Sequence, residues 1–216
     1  MWIKDEDFIR SKVPMTKFET RIISLALLDI KEGDVLLDIG AGTGSISVQA
    51  SKLGVKVIAV EKDKDAIEVF KRNIEKFNVD IQVINKRAED VILNLDFDKC
   101  FIGGTDGNIN FILELIDKKL KKGGIIVANF VTNKYIQMVE KLKDYEVEIR
   151  LLNISKYDGV LYRANNPIFI CKGGEKLKLI GAGVGPGDIE LFTLKAINAI
   201  EEAAYIYLYP RVEGNQ

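Results

Sequence analysis

Histidine is absent from all 216 residues. Without imidazole there is no Ser-His-Asp triad, no histidine general base and no His-ligated metal. Chemistry must then come from a cofactor, or from carboxylates, amines and hydroxyls, and no metal site is expected. Cysteine is nearly as scarce. Cys100 and Cys171 each sit in an apolar, β-like run, and two isolated cysteines make neither a disulfide framework nor a metal-ligand spacing. They read as buried core thiols, which points to a reducing compartment and hence the cytoplasm. No run approaches the roughly 18 apolar residues of a membrane span. The acidic start Met1-Trp2-Ile3-Lys4-Asp5-Glu6-Asp7 is not a signal peptide. Surplus charge is also missing: 31 basic residues face 32 acidic ones, a net charge of -1. Nucleic-acid binders often carry a strong basic excess, so no nucleic-acid partner is expected. The run Lys118-Lys119-Leu120-Lys121-Lys122 reads as a helix end whose cations complement the helix dipole.

What is present is an alternation of helix and strand. Phe18, Ile22, Leu25 and Ile30 repeat at helical spacing over residues 16–30, with Thr16 as the expected N-cap. Short apolar strands are expected at 35–39, 55–60, 81–84, 100–102 and 125–129. Helices are expected at 45–53, 63–77, 89–95 and 110–120, and again after 129. Two further strand-like runs, near 145–155 and 160–171, suggest a closing hairpin with one antiparallel strand. Continuous apolar strands alternating with helices mean a parallel sheet covered on both faces, an α/β fold. Lys172-Gly173-Gly174-Glu175-Lys176 marks a composition break, with 173–176 read as a linker. Beyond it the pattern restarts: a strand at 177–180, a glycine-rich loop at 181–188 and a helix from about 190 to 203.

The chemistry-bearing motif follows the first strand, at Asp38-Ile39-Gly40-Ala41-Gly42-Thr43-Gly44. Glycines there let the backbone turn sharply and approach a ligand, and amides at the helix start face it. The spacing is Gly-x-Gly-x-Gly; Ser45 stands where the dinucleotide fingerprint has its last glycine. Asp38 closes the first strand. Glu61 ends the second, 61 − 44 = 17 residues after Gly44, where an acid can accept hydrogen bonds from ribose hydroxyls.

Val35 to Gly44 together with Glu61 closely resembles the class I S-adenosylmethionine methyltransferase pattern. That resemblance implies a Rossmann-like, mostly parallel seven-stranded sheet with helices on both faces. It makes Asp38, Gly40, Ala41, Gly42, Thr43 and Gly44 cofactor-binding residues, with Gly40, Gly42 and Gly44 flanking the methionine part. Glu61 would hold the ribose, Ala88 would lie beside the adenine, and Gly103 would line the site. Ile102-Gly103-Gly104-Thr105-Asp106-Gly107 replaces the Asn/Asp-Pro-Pro-aromatic loop of amino-methylating nucleic-acid enzymes; Asn166-Pro167 comes too late to be that loop.

Several segments together resemble one family: Asp5 to Arg10, Val13-Pro14-Met15-Thr16-Lys17, Asp38 to Gly44, Ile102-Gly103-Gly104, Ala128 to Thr132, and Asn165 to Ile168. They look like the decarboxylating cobalt-precorrin-6B C15-methyltransferases of anaerobic cobalamin synthesis, over about residues 1–172. The resemblance implies methylation at C15 of the macrocycle with loss of carbon dioxide from the C12 acetate. Thr16 would close over the cofactor. A substrate with many carboxylates calls for basic and polar partners, and Lys17, Arg87 and Arg163, with Asn129 and Thr132, are the candidates. No catalytic acid or base can be named. The family also implies a homo-oligomer, with a tetramer expected. Another class I methyltransferase, acting on RNA, protein or a small molecule, and a non-catalytic cofactor-binding scaffold remain as alternatives. Residues 177–216 resemble the opening of a tetrapyrrole methylase, on Leu179 to Asp188 and Leu191 to Ala196. They read as a truncated start of such a domain, a short βα appendage.

Overall fold

The structure, a computed structural model, describes residues 1–176. The strand, loop and helix expected beyond residue 176 lie outside the described residues. Helices α1 (Phe18–Leu27), α2 (Ser45–Lys52), α3 (Lys64–Phe77), α4 (Ile109–Lys119) and α5 (Tyr135–Lys141) alternate with strands. These are β1 (Val35–Ile39), β2 (Lys56–Val60), β3 (Gln82–Ile84), β4 (Lys99–Ile102) and β5 (Ile125–Phe130), followed by β6 (Tyr145–Leu152), β7 (Ser155–Tyr157), β8 (Tyr162–Ala164) and β9 (Ile168–Lys176). Seven strands form one sheet in the order β3-β2-β1-β4-β5-β9-β6. Pairs from β3 through to β5 are parallel, while β9 runs antiparallel to both β5 and β6. The expected closing hairpin therefore exists. A small β7–β8 hairpin, which the periodicity did not resolve, is inserted within it.

Helices cover both faces because the central strands are apolar on both. On β1, Leu37 and Ile39 join the core beneath α4 and α5, whereas Leu36 joins the core beneath α1, α2 and α3. Asp38 points to the second face as well, where Ser47 of α2 meets it. Helix α3 shows its stripe plainly: Ala66, Ile67, Val69, Phe70 and Asn73 are buried. Asp63 caps it, accepting from the amides of Asp65 and Ala66, and Asn78 ends it in the left-handed region.

Three local expectations are corrected. Helix α1 starts at Phe18 with Lys17 at the cap position, so Thr16 is not its cap. Instead the Thr16 carbonyl accepts from Arg21 and from Ser45. The helix expected over 89–95 is a pair of 3-10 turns, Ala88–Asp90 and Ile92–Asn94. Residues 173–176 are not a linker but the end of β9, with Gly173 opposite both Ile126 and Val147. A Cβ on Gly173 would lie 2.7 Å from Leu142 Cδ1, so the leucine packs directly on the glycine.

The turn from β1 into α2 is built by exclusion. A Cβ on Gly44, at φ +77°, would sit 2.0 Å from the Phe70 ring. Gly44→Ala is therefore expected to destabilise the fold by about 2 kcal/mol or more, combining left-handed strain with overpacking. Urea denaturation checks this, and adding Phe70→Leu should recover part of the loss.

Candidate cofactor and substrate cleft

The carboxyl ends of β1, β2, β4 and β5 open into a cleft of about 600 Å³. It lies where the strand order reverses between β1 and β4, the place an α/β sheet offers to a ligand. Gly40, Ala41 and Gly42 form its floor. Gly40 has φ +68°, and a Cβ there would fall 2.7 Å from the Gly104 carbonyl oxygen, so the β1 and β4 loops meet backbone to backbone. Residues Val13 to Lys17 form one wall and Gly103 to Asp106 another. An ion pair between Lys62 and Asp106 joins the β2 and β4 loops.

Glu61 stands at the end of β2 and faces the cleft. Its Oε2 accepts from the Gly42 amide at 2.9 Å and its Oε1 from the Asp63 amide at 2.9 Å. The acid thus holds the glycine loop from the side. A carboxylate offers about four acceptor positions, so roughly two remain for the vicinal hydroxyls of a ribose.

Asp38 does not line the cleft. It is buried behind the loop, accepting a 2.5 Å hydrogen bond from Ser47, and its Oδ1 has no partner. Burial, helped by the nearby Glu61 charge and opposed by Ser47, pushes its carboxyl up to about 7. Thr43 and Gly44 also lie behind the loop: Thr43 is buried with its hydroxyl unpartnered, and Gly44 packs on Phe70. Of the expected cofactor residues, Thr16, Gly40, Ala41, Gly42, Glu61, Ala88 and Gly103 come together around the cleft.

The expected substrate residues divide. Lys17, Arg87 and Asn129 line the cleft. Lys17 Nζ donates to Asn165 Oδ1 at 2.8 Å, Arg87 pairs with Glu89 at 3.2 Å, and Asn129 exchanges hydrogen bonds with Ser24. Thr132 is exposed at the end of β5 and outside the lining. Arg163 lies on β8, exposed and paired with Asp158, and does not reach the cleft. Sequence reasoning missed Glu89, Gly104, Asn165 and Asn166, all of which line it. Asn165 and Asn166 belong to a segment that carries the family resemblance, which was the available signal. Among the described residues, no cluster of three or more His, Cys, Asp or Glu is placed to hold a metal ion. Nor is any helix among them long and apolar enough to cross a membrane.

Strand order, glycine loop and acid together define a class I methyltransferase, the Rossmann-like fold whose members use S-adenosylmethionine. The floor glycines, the free acceptor positions of Glu61 and the size of the cleft fit that cofactor. Residues 7–162 match the model of the precorrin methyltransferase domain, and residues 178–214 match that of the tetrapyrrole (corrin/porphyrin) methylases. A protein of Methanocaldococcus jannaschii named as a probable decarboxylating cobalt-precorrin-6B C(15)-methyltransferase is 38% identical, over 79% of this chain and 96% of its own. A precorrin-6y C5,15-methyltransferase from Geobacter metallireducens superposes with a TM-score of 0.78 at 31% identity, covering 82% of this chain and 98% of that one. The precorrin 8W decarboxylase of Methanobacterium thermoautotrophicum gives 0.76 at 28% identity, covering 80% and 99%. This chain belongs to the precorrin methyltransferase family.

The buried acid behind the loop sets a pH dependence. Its folded-state pKa, about 7, lies above the unfolded value near 3.8. The folded state therefore binds the proton more tightly, and Asp38 lowers stability as pH rises through that window. We expect the denaturation midpoint of the wild type to fall between pH 5 and pH 8. Asp38→Asn, which keeps the acceptor for Ser47, should remove a fall on the order of a few kcal/mol. Urea titrations across that range check it; identical slopes for the two proteins would refute the assignment.

Proposed function

We propose that this protein transfers a methyl group from S-adenosylmethionine to C15 of cobalt-precorrin-6B and removes carbon dioxide from the C12 acetate, a step of anaerobic cobalamin synthesis. The observation that carries the reading is the 38% identity to a relative so named, over 96% of that relative's length. In this reading Gly40, Ala41 and Gly42 flank the methionine part, Glu61 takes the ribose hydroxyls, Ala88 lies beside the adenine, and Thr16 and Gly103 close the walls. S-adenosylmethionine, when bound, supplies a methyl group on a sulfonium as the electrophile. The chain's own task is placement: holding the ring carbon in line contributes roughly 7–11 kcal/mol. An electron-rich macrocycle carbon is itself the nucleophile, so the missing histidine is no obstacle. Lys17, with Asn129 and Asn165 beside it, offers donors to the substrate's carboxylates. Arg87 is a further donor once released from Glu89.

Residues 1–172 carry this site in our reading, and 177–216 form a tetrapyrrole-methylase-like segment, which the match over 178–214 supports. Buried free thiols at Cys100 and Cys171 fit a reducing compartment, and the cytoplasm is the proposed location. Self-assembly is proposed through β6 and the β7–β8 hairpin. Ile149, Leu151, Val160, Leu161 and Tyr162 are all exposed there, the last three by 79%, 61% and 76%. Large apolar side chains left exposed on these elements support an interaction surface. Light scattering of the wild type should give a mass of several chains, a tetramer being the expected state. Leu161→Glu with Tyr162→Glu should shift it toward the monomer.

Calorimetry with S-adenosylhomocysteine, followed by assay of cobalt-precorrin-6B, tests the activity. Wild type should bind in the micromolar range, with Glu61→Ala weaker by tenfold or more, about 1.4 kcal/mol. Product mass should show one methyl gained and one carbon dioxide lost. Cofactor binding without turnover of any precorrin would move the protein to another methyl acceptor or to a scaffold role.

A further inference from the structure

The residues before α1 form a strap, residues 1–16, that runs along the molecule and ends as a wall of the cleft. Buried polar side chains hold it. Arg21 is fully buried and donates to the carbonyls of Ile3 at 2.6 Å and Thr16 at 2.9 Å, with Asp5 at 3.3 Å. Its guanidinium also lies 4.8 Å from the centre of the Phe8 ring. Gln49 of α2 accepts from the Ile3 amide at 2.8 Å.

Helix α3 does something further. Asn73 is fully buried. Its Oδ1 accepts from the Ile9 amide at 2.8 Å, and its Nδ2 donates to the Ile9 carbonyl at 3.1 Å and to the Thr43 carbonyl at 2.9 Å. The amide's two donors are thus divided between the strap and the glycine loop. Around it, Phe70 packs beneath Gly44, Phe77 lies 5.0 Å from Phe8, and Lys76 donates to the Asp7 carbonyl. One face of α3 therefore supports the glycine loop and grips the strap together. Further along, the strap returns to that loop: the Pro14 carbonyl lies 3.1 Å from where a Cβ on Gly42 would stand. Asn73 itself does not line the cleft.

We propose that Asn73 is a positioning residue that ties the amino-terminal strap to the glycine loop, so that cofactor affinity is set through a side chain outside the cleft. Loss of its hydrogen bonds releases the strap and relaxes the loop, and binding must then order both. The inference rests on the S-adenosylmethionine reading of the cleft.

The test compares wild type, Asn73→Leu, Phe8→Ala and the double substitution. Each is titrated with S-adenosylhomocysteine and digested with trypsin, which can cut the strap after Arg10 and Lys12. Phe8→Ala loosens the strap without touching loop or cleft. Each single substitution should weaken binding at least fivefold. The double should lose less than the product of the singles, because both act through one strap. Cleavage after Arg10 and Lys12 should speed up, with less protection by the ligand. An Asn73→Leu protein that melts cooperatively yet binds within twofold of wild type overturns the proposal, as does full multiplicativity in the double. Should Asn73→Leu fail to fold, Phe8→Ala and the exposed Lys76→Met decide: weakened binding in both supports the coupling, unchanged binding refutes it. Absence of binding by the wild type would instead reject the cofactor reading itself.

Discussion

At two positions between β1 and α2 the chain has no room for a side chain. Gly40 meets the backbone of Gly104, and Gly44 meets the ring of Phe70. Both contacts exclude a Cβ, for different reasons. The first brings two loops together to make the floor of the cleft. The second seats the start of α2 on α3. The glycines of such a loop are usually explained by a ligand's need for close backbone approach. Here at least one of them, Gly44, is required by the protein's own packing before any ligand arrives. The site's shape is thus a consequence of how α3 and the β4 loop press on the turn.

Burial of polar groups follows from the same crowding. Asp38, Thr43 and Asn73 lie within or directly behind the turn, and all three are buried. A buried polar group costs free energy unless it is paired. Asn73 spends its donors and its acceptor on backbone groups. Asp38 satisfies one oxygen through Ser47 and leaves the other without a partner. Its elevated pKa follows, since desolvation disfavours the charge more than one hydroxyl can repay. Glu61, unlike Asp38, meets the cleft, and it also reaches across to the Gly42 amide. One acid is buried as scaffold and the other is half-exposed for a ligand.

How much of this was legible in the sequence depends on the range of the interaction. The five parallel strands were legible because each is a short, largely apolar run followed by a helix or, after β3, by 3-10 turns. The glycine loop and Glu61 were legible because their spacing is local. Thr16 was misread because a hydroxyl before an apolar run resembles a cap, while it is the carbonyl that bonds, to Arg21 five residues on and to Ser45 29 residues on. Gly173-Gly174 was misread as a break because pairing with β5 and β6 overrides local preference. Arg163 was placed at the substrate on charge alone, and an arginine's reach from a hairpin cannot be judged without the hairpin's position. Asn73 drew no notice at all. A lone polar residue in a helix stripe gives no sign of the carbonyls it will meet, which come from residues 64 and 30 positions away.

The two halves of the cleft differ in how they are built. The half we propose for the cofactor has its floor at the carboxyl ends of neighbouring parallel strands, fixed by the sheet register. The half we propose for the substrate draws on Lys17 at the start of α1, Asn129 on β5 and Asn165 just before β9. Those residues are far apart in sequence and meet only because β9 returns antiparallel beside β5. A methyl donor of constant shape suits the rigid half. A large, polycarboxylate macrocycle suits an open half whose amides and ammonium can adapt to several anionic groups. With no imidazole in the chain, the proposed reaction draws on the alignment of these halves, and any proton transfer falls to carboxylates, amines or hydroxyls. The contacts that fix the alignment, including those made behind the glycine loop, then matter to the chemistry as much as the residues that face the cleft.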